Sequence, residues 1–131
     1  MKVAVSSTGD SIDSPIDPRF GRCNIFLIVD TDKMSVESIE NSSVFSAHGA
    51  GIGAAQKVAS LGVKAVITGN VGPNAQMALS GAGVEIYTVS PVSVREAIEL
   101  FKKGELTKVS SPTVGGHFGQ GRGTGRGRRP W

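Results

Sequence analysis

Apolar residues follow two different rhythms along this chain, and the change between them marks a change of architecture. Toward the N-terminus they come in short dense runs. Lys2 to Ser6 (KVAVS) and Asn24 to Asp30 (NIFLIVD) carry the branched and aromatic side chains that strands favour. Met34 to Glu40 (MSVESIE) alternates apolar with polar residues, the period-two signature of a half-exposed strand. Thr31-Asp32-Lys33 supplies the tight turn that folds it back on its neighbour as a hairpin.

Beyond that hairpin the rhythm becomes helical and alternates with further strands. Gly49 to Leu61 sets Ala55, Val58 and Ala59 at inward spacing and stops at Gly62, ahead of a strand from Val63 to Thr68. Pro73 opens a second helix whose apolar side is Ala75, Ala78 and Leu79; Gly81 and Gly83 end it before the strand Val84 to Val89. A third helix begins at the capping box Ser93-Val94-Arg95-Glu96. Its Val94, Ala97, Ile98 and Phe101 recur at i, i+3, i+4 and i+7, and Gly104 stops it. A meander followed by strand–helix units predicts an α/β fold. We expect a mixed five-stranded sheet of order 3-2-1-4-5 with flanking helices, the three-layer ribonuclease H-like arrangement, its later strands parallel through right-handed crossovers.

Composition changes this picture at one end only. The chain has 131 residues, suited to one core, and residues 1–110 form the expected domain. Residues 111–131 are dominated by GGHFGQGRGTGRGRRPW, which offers almost nothing to bury and reads as a flexible arm. The net charge of +3 is concentrated there. Without Arg122, Arg126, Arg128 and Arg129, ten basic residues face eleven acidic ones, so basicity argues only about the tail. The N-terminal apolar run is too short for a signal peptide or a membrane span, and a lone cysteine suits a reducing compartment; both predict a cytoplasmic protein.

Candidate chemistry is sparse. A two-metal nuclease needs carboxylates at strand ends, and the first strand has none; Asp10, Asp13 and Asp17 are spread along a loop. HGAGIGAAQ, from His48, approaches a dinucleotide fingerprint. It follows a poor strand, however, and no acid stands about twenty residues on. What survives is a helix start opened by Gly49 and Gly51, able to hold an anion or simply to let the helix approach the sheet. VITGNVGPNA is a second such turn, where Asn70 and Asn74 either cap or line a cleft. In DPRFGRC, Arg19 and Arg22 flank the only cysteine. They would lower the pKa of Cys23 toward the metal-binding thiolate, while the alternative is a small buried hydrophobe. Cys23 and His48 together could only partly coordinate a metal centre, which suits a carrier that releases its cargo. With no nucleophile elbow and no credible Ser-His-Asp set, an enzyme is not expected.

Three segments, DPRFGRCNIFLIVD, HGAGIGAAQKVASLGVKAVITGNVGPNAQMAL and AGVEIYTVSPVSVREAIELFKKGEL, follow in that order between Lys2 and about Leu106. Together they resemble the dinitrogenase iron-molybdenum cofactor biosynthesis family, the small nitrogenase accessory-factor domain. The resemblance implies a non-catalytic carrier that holds an iron-molybdenum cofactor or iron-sulfur precursor and passes it between donor and acceptor proteins. It also implies a binding set of Arg19, Gly21, Arg22, Cys23, His48, Gly49, Gly51 and Asn70, with Cys23 and His48 as metal ligands. In cofactor-binding members a histidine precedes the Phe-Gly of the first loop; here Arg19 stands there, which favours a simpler cluster or another anionic ligand. His117-Phe118-Gly119 repeats that His-Phe-Gly in the tail, where it is either a labile extra ligand or a histidine without a role. The alternative function is a nucleic-acid or anion-binding regulatory module, with tail arginines on phosphates and Phe118 or Trp131 stacking on bases.

Overall fold

The computed structural model describes residues 1–41 and 50–110. His48, Gly49, His117 and the whole Gly/Arg tail lie outside the described residues.

The chain runs through β1 (Lys2–Ser7), β2 (Ile25–Asp30), β3 (Ser35–Glu40), α1 (Ala50–Ser60), β4 (Ala65–Thr68), α2 (Pro73–Gly81), β5 (Glu85–Thr88), α3 (Val94–Lys102) and β6 (Thr107–Val109). The strands form one sheet of order β3-β2-β1-β4-β5-β6. β1 pairs antiparallel with β2 and parallel with β4, and β5 continues the parallel set. The expected order is therefore present, but the expected count of five strands is not. A sixth strand, β6, pairs antiparallel with β5, Thr88 opposite Thr107 and Ile86 opposite Val109. Thr-Lys-Val is too short to announce itself by periodicity; it forms because Gly104, at φ 73°, turns the chain back along an edge that would otherwise be unpaired.

The pleat sends alternate residues of β1 into two cores. Val3 and Val5 join Leu27, Val29, Ala65 and Ile67 against Val94, Ala97 and Ile98 of α3. Ala4, Phe26, Ile28 and Val66 face the other way, onto Ala54, Ala55 and Val58 of α1 and Ala75 and Leu79 of α2. Both faces of the central strands are covered, which explains their near-continuous apolar runs. The result is three layers, with α1 and α2 on one side and α3 on the other.

The β2–β3 hairpin forms where expected. Asp30 accepts from the amides of Asp32 and Lys33 through Oδ1 and from Met34 N through its carbonyl. β3 is more exposed than its alternation predicts, with only Ile39 partly buried against the core, because it lies at the sheet edge. Ser93 is the N-cap expected of it: its Oγ accepts from Glu96 N at 3.1 Å.

Candidate functional site

Parallel strands end together, and the turns leaving them gather at one edge; in open α/β sheets that edge is where ligands bind. Here the loop after β1 returns over residues 16–21 to the C-terminal end of that strand, β4 leads into residues 69–72, and a cleft of about 350 Å³ opens between them. Arg19, Phe20, Gly21, Gly51, Asn70, Gly72, Pro73, Asn74 and Ala75 line it.

The DPRFG loop is held in place along its length. Asp17 N donates to Ser6 O at 2.9 Å, and Asn70 N donates to Pro18 O at 2.7 Å, so the loop bridges the ends of both strands. Ser6 Oγ, fully buried, donates to Asp17 O at 2.6 Å and lies 2.7 Å from the hydroxyl of Thr68, which can donate back. Phe20 inserts into the core against Phe26, ring centroids 5.2 Å apart. With Phe20 inward, Arg19 is directed outward.

Two glycines permit the close approaches that shape the walls. A Cβ on Gly21 would lie 2.9 Å from the backbone of Gly51, so the loop meets the first turn of α1 backbone to backbone. A Cβ on Gly69 would lie 2.7 Å from Pro18 Cα, the contact that seats the loop on β4.

Arg19 carries the only formal charge among the lining residues. α2 starts at Gly72 with no side-chain cap and Pro73 in its first turn, so the following first-turn N–H groups meet no capping side chain. Neither α1 nor α2 has an acidic residue in its first turn, whereas α3, away from the cleft, has both Ser93 and Glu96. The α2 start, with no side-chain cap and no acidic residue in its first turn, therefore faces the cleft beside Arg19. Asp17 balances part of that charge. Its Oδ1 accepts from Arg19 N at 2.9 Å and Nε at 3.1 Å, its Oδ2 from Nη2 at 3.1 Å. The pairing raises the Arg19 pKa above its ordinary value, hydrogen bonding to Asp17 first and its charge second.

The expected site residues divide accordingly. Arg19, Gly21, Gly51 and Asn70 come together in the cleft; Arg22 is exposed outside its lining. Cys23 requires a correction. It is fully buried in the core beside Phe20 and Phe26, and its Sγ donates to Phe20 O at 3.4 Å. Burial, with the charge of Asp17 second, pushes its thiol up to about 12, the reverse of the thiolate expected from Arg19 and Arg22. The physical reason is direction: Arg19 turns to Asp17, and the thiol turns into the apolar layer. His48 and Gly49 fall outside the described residues, so the Cys23–His48 pair has no geometry to report. Among the described residues, no group of three or more His, Cys, Asp or Glu side chains is gathered to hold a metal ion. None of their helices is long and apolar enough to cross a membrane.

Asp17 as the partner of Arg19 and Gly69 as the seat of the loop are contacts that only the folded chain displays. The D-x-R spacing, which allows a side chain to cap the amide two residues on, was the available signal for the first.

Comparison with known proteins agrees with the segments quoted above. The model of a family described as dinitrogenase iron-molybdenum cofactor matches residues 1–104. An uncharacterised protein of Methanocaldococcus jannaschii is 35% identical over 112 residues, covering 82% of this chain and 95% of that protein. The apo form of the orange protein from Desulfovibrio gigas superposes with a TM-score of 0.84 at 37% identity, covering 86% of this chain and 96% of the other. A NifB-designated protein of Thermotoga superposes at 0.77 with 38% identity, covering 86% and 97%.

Proposed function

Because this chain belongs to the dinitrogenase iron-molybdenum cofactor family, we propose that it is a non-catalytic accessory protein that carries an anionic metal cluster in the cleft between Arg19 and α2. The observation that carries this reading is the chemistry of the lining. Guanidinium and backbone N–H groups have no lone pairs to give a metal, but they suit the sulfide or oxo ligands that cover a cluster's surface. The cluster is cargo, bound through its outer anions by charge and hydrogen bonds. Such a hold can be released to an acceptor without breaking a metal–protein bond. Asn70 and Asn74, exposed at the rim, add neutral amide donors.

The chain's own residues each have a part. Arg19 supplies the full positive charge, α2 its first-turn N–H groups, and Gly21, Gly51 and Gly69 keep the walls close. Cys23 serves the core beneath. His48 and Gly49 are kept among the proposed cluster-binding residues on the family resemblance. We further read the layering as ribonuclease H-like with an added edge strand, in a cytoplasmic protein that meets cluster donor and acceptor proteins. Nothing among the described residues favours the nucleic-acid reading, which rests on the tail.

Anaerobic reconstitution of the full chain with iron and sulfide, and separately with molybdate, followed by desalting and metal analysis, tests the carrier reading. Metal should remain with the protein in stoichiometric amount in at least one case and wash off in high salt. Absence of retained metal in both would overturn it.

A further inference from the structure

We propose that Asp17 is a positioning residue for cargo: it fixes the Arg19 guanidinium so that one edge is spent internally and the other is presented to the cleft as a two-pronged anion donor. This rests on the reading of the cleft as an anion site, and it names the shape the site recognises.

The carboxylate is almost fully buried, its side chain 5% exposed, while the Arg19 side chain is 65% exposed. A buried carboxylate is costly unless its lone pairs are met, and among the described residues its three donors come from one residue: Arg19 N, Nε and Nη2. The backbone of Asp17 is fixed as well, donating to Ser6 O and accepting from Ser6 Oγ. A buried, immobile acceptor pair therefore grips an exposed and otherwise flexible side chain. The grip takes the Nε–Nη2 edge. The opposite edge, Nη1 with the second N–H of Nη2, remains for a ligand, because the guanidinium is planar and its donors point in fixed directions. The matching ligand offers two acceptors side by side, as the face of an oxo- or thio-anion does.

Charge and geometry predict opposite signs when Asp17 is neutralised, which makes the inference testable. By charge alone, Asp17→Asn leaves the cleft more positive and should tighten anion binding. By positioning, it frees the guanidinium to sample many orientations and should weaken binding, because oriented charge-assisted pairs are the strong ones. The probe is molybdate, titrated into the full chain and followed by 15N NMR of the Arg19 side chain and the Asn74 and Ala75 amides. In the wild type, molybdate should shift the Arg19 Nη resonances more than Nε, which stays tied to Asp17. Asp17→Asn should bind about tenfold more weakly, and Asp17→Glu, which keeps the charge but moves the carboxylate, should weaken binding too. In an Arg19→Gln background, Asp17→Asn should cause no further loss.

Equal or tighter binding by Asp17→Asn would overturn the positioning role. So would the same fractional loss in the Arg19→Gln background, which would mark a general disturbance of the loop. If Asp17→Asn does not fold, Asp17→Glu and the wild-type Nη-against-Nε comparison decide the matter on their own. Absence of any saturable shift in the wild type would overturn the reading of the cleft itself, an outcome distinct from the others.

Discussion

Cys23 and Arg19, four residues apart, are separated by the direction in which Phe20 turns the chain: one side chain goes to the core and the other to the cleft. The consequence for Cys23 is measurable through pH. Its thiol stays protonated in the folded protein up to about 12, against an ordinary value of 9.0. Between those values the unfolded chain loses a proton that the native chain keeps, so stability falls as pH rises from about 9, with a slope limited to about 1.4 kcal/mol per pH unit. Below that window this contribution is constant. Cys23→Ala should lack the fall while costing about 1–2 kcal/mol at neutral pH through the lost packing. Urea unfolding of both proteins between pH 7 and 10 checks this; parallel profiles would return Cys23 to a solvent-accessible position. The sequence left Cys23 open between ligand and core because neighbouring arginines are visible in one dimension and their direction is not. Arg19, Gly21, Gly51 and Asn70 could be found as glycine-turn and loop residues. The burial of the carboxylate that holds Arg19 could not, since a loop aspartate looks the same solvated or enclosed; only the D-x-R spacing hints at the pairing.

Among the elements, long periodic segments were legible and short or context-dependent ones were not. α3 could be read whole, from the Ser93 cap to the Gly104 stop, because its pattern is local. β6 was missed because an edge strand of three residues exists only by virtue of the neighbour it pairs with. The same holds for exposure along β3, which depends on where the helices stop covering the sheet. The junction between the DPRFG loop and β4 is a further case, and it can be probed. Gly69→Ala would place a Cβ 2.7 Å from Pro18 Cα and 2.8 Å from Pro18 Cβ, against backbone that cannot swing aside. It should destabilise the fold by about 1–3 kcal/mol. It should also weaken molybdate binding by lifting Pro18 and Arg19 off the strand end. Unchanged stability by thermal unfolding together with unchanged binding would show that the loop does not depend on this contact.

At the scale of the whole molecule the sheet does what an open parallel arrangement does: it brings the ends of β1 and β4 and the starts of α1 and α2 to one edge. The fold thereby gathers glycine turns and Arg19 around one cleft. On the proposed reading, cargo is held by charge and hydrogen bonds from this cleft and not by a bond from Cys23. The most direct test compares metal retained after anaerobic reconstitution and desalting by the wild type, Arg19→Gln and Cys23→Ala, each first shown to be folded. Arg19→Gln should lose most of its cargo while Cys23→Ala retains it at the wild-type ratio. Loss of cargo in Cys23→Ala, with Arg19→Gln retaining it, would overturn this reading and place the cysteine sulfur on the metal.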